Sequence, residues 1–205
     1  MRILNLYAGV GGNRMYWGEG HEITAVELNP SIAACYQDLY QNDMVIVGDA
    51  HEYLLNHYKE FDFIWASPPC QSHSDIRRMG AEIGRYDAVF PDAKLWQEIV
   101  FLTHFCKKDW VVENVIPYYK PFIQPAFSIH RHHFWSNKFI MSTQIDTDRV
   151  WIGSNKEREK KKHIDLSKYK FEGIDKRQVL RNMVSPKLGK YIFEQITGEK
   201  INDGI

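Results

Sequence analysis

Along the first two thirds of the chain, short apolar runs alternate with segments whose apolar positions recur at helical spacing. Such runs, bounded by Gly, Asn, Asp and Pro, read as buried strands, and their alternation with helical patterns is the signature of a parallel sheet with crossover helices. Strands are expected at 2–7, 22–27, 44–47, 61–66 and 110–113, and helices at 30–40 and 93–105. Asn29 followed by Pro30 has the order of an N-cap and a first helical turn, and Asp92 stands where it would cap the second helix. The expected fold class is therefore α/β, a doubly wound, mostly parallel sheet. From Ser136 onward the alternation fails, and a charged stretch from Lys156 to His163 reads as an insertion outside the sheet. A last amphipathic segment, 186–196, carries Leu188, Ile192 and Ile196 at helical spacing and is expected to pack back on the domain.

With 205 residues, 44% of them hydrophobic, the chain is long enough for one α/β domain with a substantial core. Its 26 basic and 26 acidic residues cancel, so the overall charge does not demand a nucleic acid partner, while a local basic face stays open. Cys35, Cys70 and Cys106 lie far apart with no CxxC pair. That spacing disfavours a disulfide framework and a zinc site, and fits an intracellular, reducing compartment. No run approaches membrane-spanning length, and the N-terminus starts with a strand-like run and glycines rather than a long apolar region, so neither secretion nor membrane insertion is expected.

Candidate chemistry concentrates at the ends of the expected strands. Ser67-Pro68-Pro69-Cys70-Gln71 follows directly on the apolar run 61–66, which puts a cysteine on a proline-stiffened loop where open α/β sheets bind ligands. Cys70 is thus either a nucleophile or a buried structural thiol. Tyr7-Ala8-Gly9-Val10-Gly11-Gly12-Asn13 forms a glycine-rich turn after the first strand. It either lets the backbone approach a ligand or simply makes a tight turn, and it lacks the full GxGxxG spacing of a dinucleotide site. Glu27 ends the second strand and Asp49 the third, where each suits either a ribose or base contact or a helix cap. Together the three strand ends offer a nucleoside site.

These motifs resemble those of the cytosine C5 DNA methyltransferases. Tyr7 to Asn13 looks like that family's S-adenosylmethionine loop, SPPCQ at Ser67 to Gln71 like its nucleophile loop, and Glu113-Asn114-Val115 like its ENV triplet, all in the family's order. The similarity runs to about Asn137 and resumes at 178–189, where VLRNMVSPKLG is similar to the family's C-terminal motif. The resemblance implies an S-adenosylmethionine-dependent fold, with a catalytic domain at 1–135 and 178–205 and a target-recognition insertion at 136–177. It implies a cofactor site made by Tyr7, Ala8, Gly9, Gly11, Gly12, Leu28, Ala50, Pro68 and Asn182, with Glu27 on the ribose and Asp49 on the adenine amino group. Cys70 would attack C6 of a flipped cytosine, with Glu113 as partner acid and Arg131 beside them. That role asks for a raised Glu113 pKa, which burial beside Val111, Val112 and Val115 would promote.

Substrate contacts are expected from Gln71, Ser72, Ser74, Arg77, Arg78, Asn114 and His133. Residues 72–80 read as a mobile polar lid meeting phosphates, or as an ordinary solvated loop. Ile129-His130-Arg131-His132-His133 stands at the family's QxRxR motif, with Arg131 matching the first arginine and His133 replacing the second. Residues alternate faces along a strand, so the three histidines are not expected to hold a metal. Arg181 stands where the family has a glycine. The run around Lys156 to Lys162, with Trp151 before it and Tyr169 and Phe171 after, supplies either phosphate contacts and a stacking wedge or a solvated helix face. The expected partner is double-stranded DNA, with a second copy or partner protein supplementing the short recognition region. RNA methylation is the alternative within the enzyme class, although the Cys-Phe-Thr tripeptide of tRNA-acting members is absent, and a non-catalytic DNA-binding homologue is the alternative outside it.

Overall fold

The computed structural model describes residues 1–141, 145 and 153–201. Its centre is a seven-stranded sheet in the order β3-β2-β1-β4-β5-β7-β6. The strands are β1 (Arg2–Leu6), β2 (Glu22–Glu27), β3 (Met44–Val47), β4 (Phe63–Ala66), β5 (Asp109–Val115), β6 (Phe127–Ile129) and β7 (His132–Ser136). The first five run parallel, and β7 and β6 close one edge as an antiparallel hairpin. The helices are α1 (Pro30–Leu39), α2 (Ala50–His57), α3 (Asp75–Glu82), α4 (Lys94–Phe105), α5 (Asn155–Lys161), α6 (Lys176–Asn182) and α7 (Pro186–Thr197).

Strand periodicity sorts the core into two layers, because successive side chains leave opposite faces. Leu4, Leu6, Ile64, Ala66 and Val112 face one layer and meet Leu95, Ile99 and Leu102 of α4. Ile3, Phe63, Trp65 and Val111 face the other, where Trp17 and the α7 residues Leu188, Ile192, Phe193 and Ile196 cover them. The expected C-terminal helix therefore does pack on the sheet. Asn29 caps α1 by accepting from the amides of Ser31 and Ile32, at 2.9 and 3.2 Å. Asp92 accepts from the Lys94 amide at 3.0 Å at the start of α4.

Three regions depart from the sequence reading. Residues 75–82, the first six of them in the stretch read as a loop, form α3, stabilised by i,i+3 and i,i+4 pairing of Arg78 with Asp75 and Glu82. Near the charged stretch, α5 carries a Ser154/Glu157 capping box and buries Arg158, so it is not solvated all round. After it, Ile164, Leu166, Val179, Leu180 and Met183 join Val10, Ile32 and Cys35 in a third apolar cluster against α1. Tyr169 and Phe171 pack against this cluster, and the Tyr169 hydroxyl bonds Asp38, so neither projects as a wedge. Trp151 lies outside the described residues.

Candidate active site

The sheet reverses winding between β1 and β4. Chain leaving β1 turns toward β2, and chain leaving β4 turns toward β5, so the two loops diverge and open a crevice at the carboxyl ends of the strands. A cavity of about 680 Å³ lies there, a size suited to a nucleoside-sized ligand and more. It is lined by the glycine turn after β1, the ends of β2 and β3, the SPPCQ loop after β4, the end of β5, and the α6–α7 junction.

Buried polar contacts hold the glycine turn. Asn13 donates to Asn5 at 2.8 Å inside the core, tying the turn to β1. Gly9, at φ +56, directs its N–H to Glu27 Oε2 at 3.0 Å, while Glu27 Oε1 accepts from the Asn29 amide at 2.9 Å. Gly12 meets the α6–α7 junction so closely that a Cβ there would overlap the Val184 carbonyl and the Met183 side chain. Next to Glu27, Leu28 keeps 69% of its surface exposed while lining the cavity, an apolar face open to a flat partner. Asp49 does two jobs at once. Its Oδ1 caps α2 through the amides of His51 and Glu52, and its Oδ2 pairs with Lys94 Nζ at 2.8 Å, a hydrogen bond that holds the carboxyl below its ordinary range. Lys94 and Asp92, both lining the cavity, were not singled out as site residues by sequence. Tyr7 bonds Glu98, which also binds His51 Nδ1 at 2.9 Å.

Cys70, half-buried and free, faces this cavity together with Glu113, Arg131, His132 and Arg181. Burial, then the Glu113 charge, push the Cys70 thiol up to about 11, while Arg131 and Arg181 oppose the rise. Its loop is pinned from β5, because the buried Asn114 amide donates to the Pro68 carbonyl at 2.9 Å. Ser67 accepts from Trp65 Nε1 at 2.8 Å and gives Glu113 a further hydrogen bond.

Glu113 departs from expectation. Burial pushes its carboxyl up, but His132, the Ser67 hydrogen bond and the Arg131 guanidinium outweigh it and hold the group below its ordinary value. The neighbour responsible is His132, whose Nδ1 bonds Glu113 Oε1. His133, the residue expected there, bonds Ser128 Oγ at 2.7 Å on the opposite face. Register is the reason: Glu113 pairs with Phe134 across the β5–β7 ladder, so His132 shares its face while His133 shares that of Asn114.

Of the residues expected at the site, Tyr7, Ala8, Gly9, Gly12, Glu27, Leu28, Asp49, Ala50, Pro68, Cys70, Gln71, Glu113, Arg131 and Asn182 line the one cavity. Others sit outside its lining. Gly11 packs against Tyr36 and Tyr40. Asn114 spends its amide on Pro68 and on its neighbour Val115. Ser72 accepts from the Asp92 amide at 2.9 Å, and Ser74 precedes α3 as its N-cap. Arg77 stacks over Tyr86, with 4.8 Å from guanidinium carbon to ring centre, and Arg78 is paired within α3. No group of three or more His, Cys, Asp or Glu side chains able to hold a metal occurs among the described residues, and no helix among them is long and apolar enough to cross a membrane.

A mostly parallel seven-stranded sheet with flanking helices, closed by one antiparallel hairpin and open at its winding reversal, defines the class as an α/β methyltransferase fold. The Entamoeba histolytica methyltransferase EhMeth shares this fold with a TM-score of 0.57 and 10% sequence identity, over 97% of this chain and 98% of that one. Within the class the particular family follows from sequence. Residues 1–116 match the profile of C-5 cytosine-specific DNA methylases, and the chain belongs to that family. Other similar structures are a Spodoptera frugiperda DNMT2 mutant (24% identity, TM-score 0.42, 56% of this chain and 35% of that one) and a putative DNA modification methyltransferase of an E. coli prophage (17%, 0.40, 58% and 33%). The chain thus spans about a third of the length of these last two. No curated protein sequence matches it.

Proposed function

We propose that this chain transfers a methyl group from S-adenosylmethionine to C5 of cytosine in DNA, with Cys70 as nucleophile and Glu113 as its partner acid. The observation that carries the reading is that Cys70 and Glu113 line one cavity with the glycine turn, Glu27 and Asp49. The residues fit the cofactor chemically. Glu27 and Asp49 offer carboxylate acceptors for ribose and amino donors, exposed Leu28 offers an apolar face for the adenine, and Gly9 and Gly12 keep side chains out of the way. S-adenosylmethionine supplies an electrophilic methyl group on a sulfonium sulfur.

What the chain contributes is activation of the base. C5 of cytosine is a poor nucleophile, and addition of Cys70 sulfur at C6 turns C5 into the reactive carbon of an enamine. As the ring gains electron density, the proton leaving the Cys70 thiol passes to N3 by way of the Glu113 carboxylate, and one Glu113 oxygen accepts from the exocyclic amine. Once C5 carries the methyl group, its proton leaves to a base or water, the C6–S bond breaks to release Cys70, and N3 returns its proton to Glu113, which restores the ring. A base within a duplex cannot reach this cavity, so the target is extruded from the stack. Target recognition is assigned to 136–177, the stretch between the hairpin and the C-terminal motif, with a second copy or partner protein adding surface to it.

Transfer of labelled methyl from S-adenosylmethionine to unmethylated duplex DNA, with tRNA and free cytidine nucleotides in parallel, tests the reading. Labelling of DNA that disappears in Cys70→Ala is expected. Labelling of tRNA alone moves the substrate to RNA, and cofactor binding without any transfer makes the chain a non-catalytic homologue.

A further inference from the structure

Arg131, His132 and Glu113 form a hydrogen-bonded line that ends in the cavity. Arg131 Nε lies 3.2 Å from His132 Nε2, and His132 Nδ1 bonds Glu113 Oε1. A guanidinium has donors and no acceptor, so Nε2 must be the accepting nitrogen. The imidazole is then neutral with its proton on Nδ1, aimed at the carboxyl. The ring is well held for this task, with 15% of the side chain exposed against 8% for Glu113.

We infer that His132 is the positioning residue for Glu113: in the single tautomer that Arg131 selects, it engages one carboxyl oxygen and so turns the other toward the bound base. This rests on the reading of Cys70 and Glu113 as the reacting pair. The arrangement serves both protonation states of Glu113. As a carboxylate it accepts from Nδ1–H, and as an acid it still accepts there through its carbonyl oxygen while the remaining oxygen carries the proton to N3. Arg131 contributes twice. Besides setting the tautomer, its Nη2 reaches the Arg181 carbonyl at 3.5 Å, linking the hairpin turn to the end of α6. Glu113 therefore receives its orientation from the hairpin turn rather than from β5 alone. Sequence pointed to the adjacent His133, which the β7 register turns away.

Two measurements test the inference on the intact chain. Long-range nitrogen–proton NMR correlations of ¹⁵N-histidine-labelled protein report the tautomer without any turnover. The expected result is a neutral His132 protonated on Nδ1, giving way to a mixture of tautomers in Arg131→Ala; a proton on Nε2 in the wild type overturns the proposal. Covalent trapping on duplex DNA containing 5-fluorocytosine, with S-adenosylmethionine, reports the role. At saturating DNA, His132→Ala is expected to slow adduct formation by on the order of 100-fold, with affinity for S-adenosylhomocysteine changed less than about twofold. His132→Asn keeps a donor near the Nδ1 position and is expected to recover most of that loss. If wild type forms no adduct, the proposed function fails while the tautomer assignment stands or falls by NMR. If wild type and His132→Ala trap at equal rates, the positioning role is wrong and the proposed function survives. If His132→Ala does not fold, the asparagine variant decides, since adduct formation as slow as that of Cys70→Ala in a folded His132→Asn overturns the inference.

Discussion

At the scale of the residue, the surroundings of Cys70 set its protonation. A thiol pushed up to about 11, by burial foremost and by the Glu113 charge next, stays protonated at neutral pH in the absence of a bound base. In the proposed reaction the thiolate would thus form only as substrate fills the cavity. Alkylation of Cys70 by iodoacetamide without DNA is expected to accelerate about tenfold per pH unit between about pH 7 and 10, followed by mass spectrometry of the Cys70 peptide. Arg131→Ala removes a neighbour that favours the thiolate and slows the reaction across that range; a plateau near pH 8 would contradict the assignment. Peptide-level detection matters because Cys35 and Cys106 are buried thiols, also shifted upward. The placement of Cys70 at the cavity was legible from its loop, and that of Glu113 from its triplet. The direction of the Glu113 shift was not, because burial among valines is visible in sequence whereas Ser67 arrives from the end of β4 and Arg131 and His132 from the β6–β7 hairpin.

At the scale of the element, the glycine turn and the α6–α7 junction act as one unit. Gly12 faces the Val184 carbonyl and Met183, and Gly189 of α7 lies against the Asn13 backbone with no room for a Cβ. Gly12→Ala must displace main chain rather than the tip of a flexible side chain. It is expected to cost about 1–3 kcal/mol in urea unfolding and to weaken S-adenosylhomocysteine binding in calorimetry; an alanine variant with wild-type stability and affinity would show that the junction gives way freely. Strand and helix positions were read well where amphipathic period and caps coincide, as in β2, β3, α1 and α7. They were missed where stability comes from elsewhere. For α3 that source is side-chain ion pairing and the seating of Gly80 on Tyr86, and for α6 it is burial of Val179 and Leu180 against α1.

At the scale of the whole molecule, the C-terminal helix seals one face of a sheet built largely from the N-terminal half. Phe193 stacks on Trp17, with ring centres 5.2 Å apart, and meets Phe63 edge-on at 5.6 Å. Phe193→Ala is expected to cost about 3–5 kcal/mol, lowering the urea midpoint with the slope unchanged; a much smaller loss would mean that α7 docks by its aliphatic residues alone. The sequence by itself determined the five parallel strands, the glycine turn, the caps and the placement of Cys70 on the loop after β4, because these follow from side-chain period, backbone permissiveness and short-range hydrogen bonding. Tertiary structure alone decided that apolar residues between 164 and 183 pack on α1, that Asp49 serves as cap and cavity carboxylate together, and that His132 rather than His133 meets Glu113. Each of those depends on register or approach between segments far apart in the chain, where a shift of one residue turns a side chain to the opposite face and its chemistry away from the site.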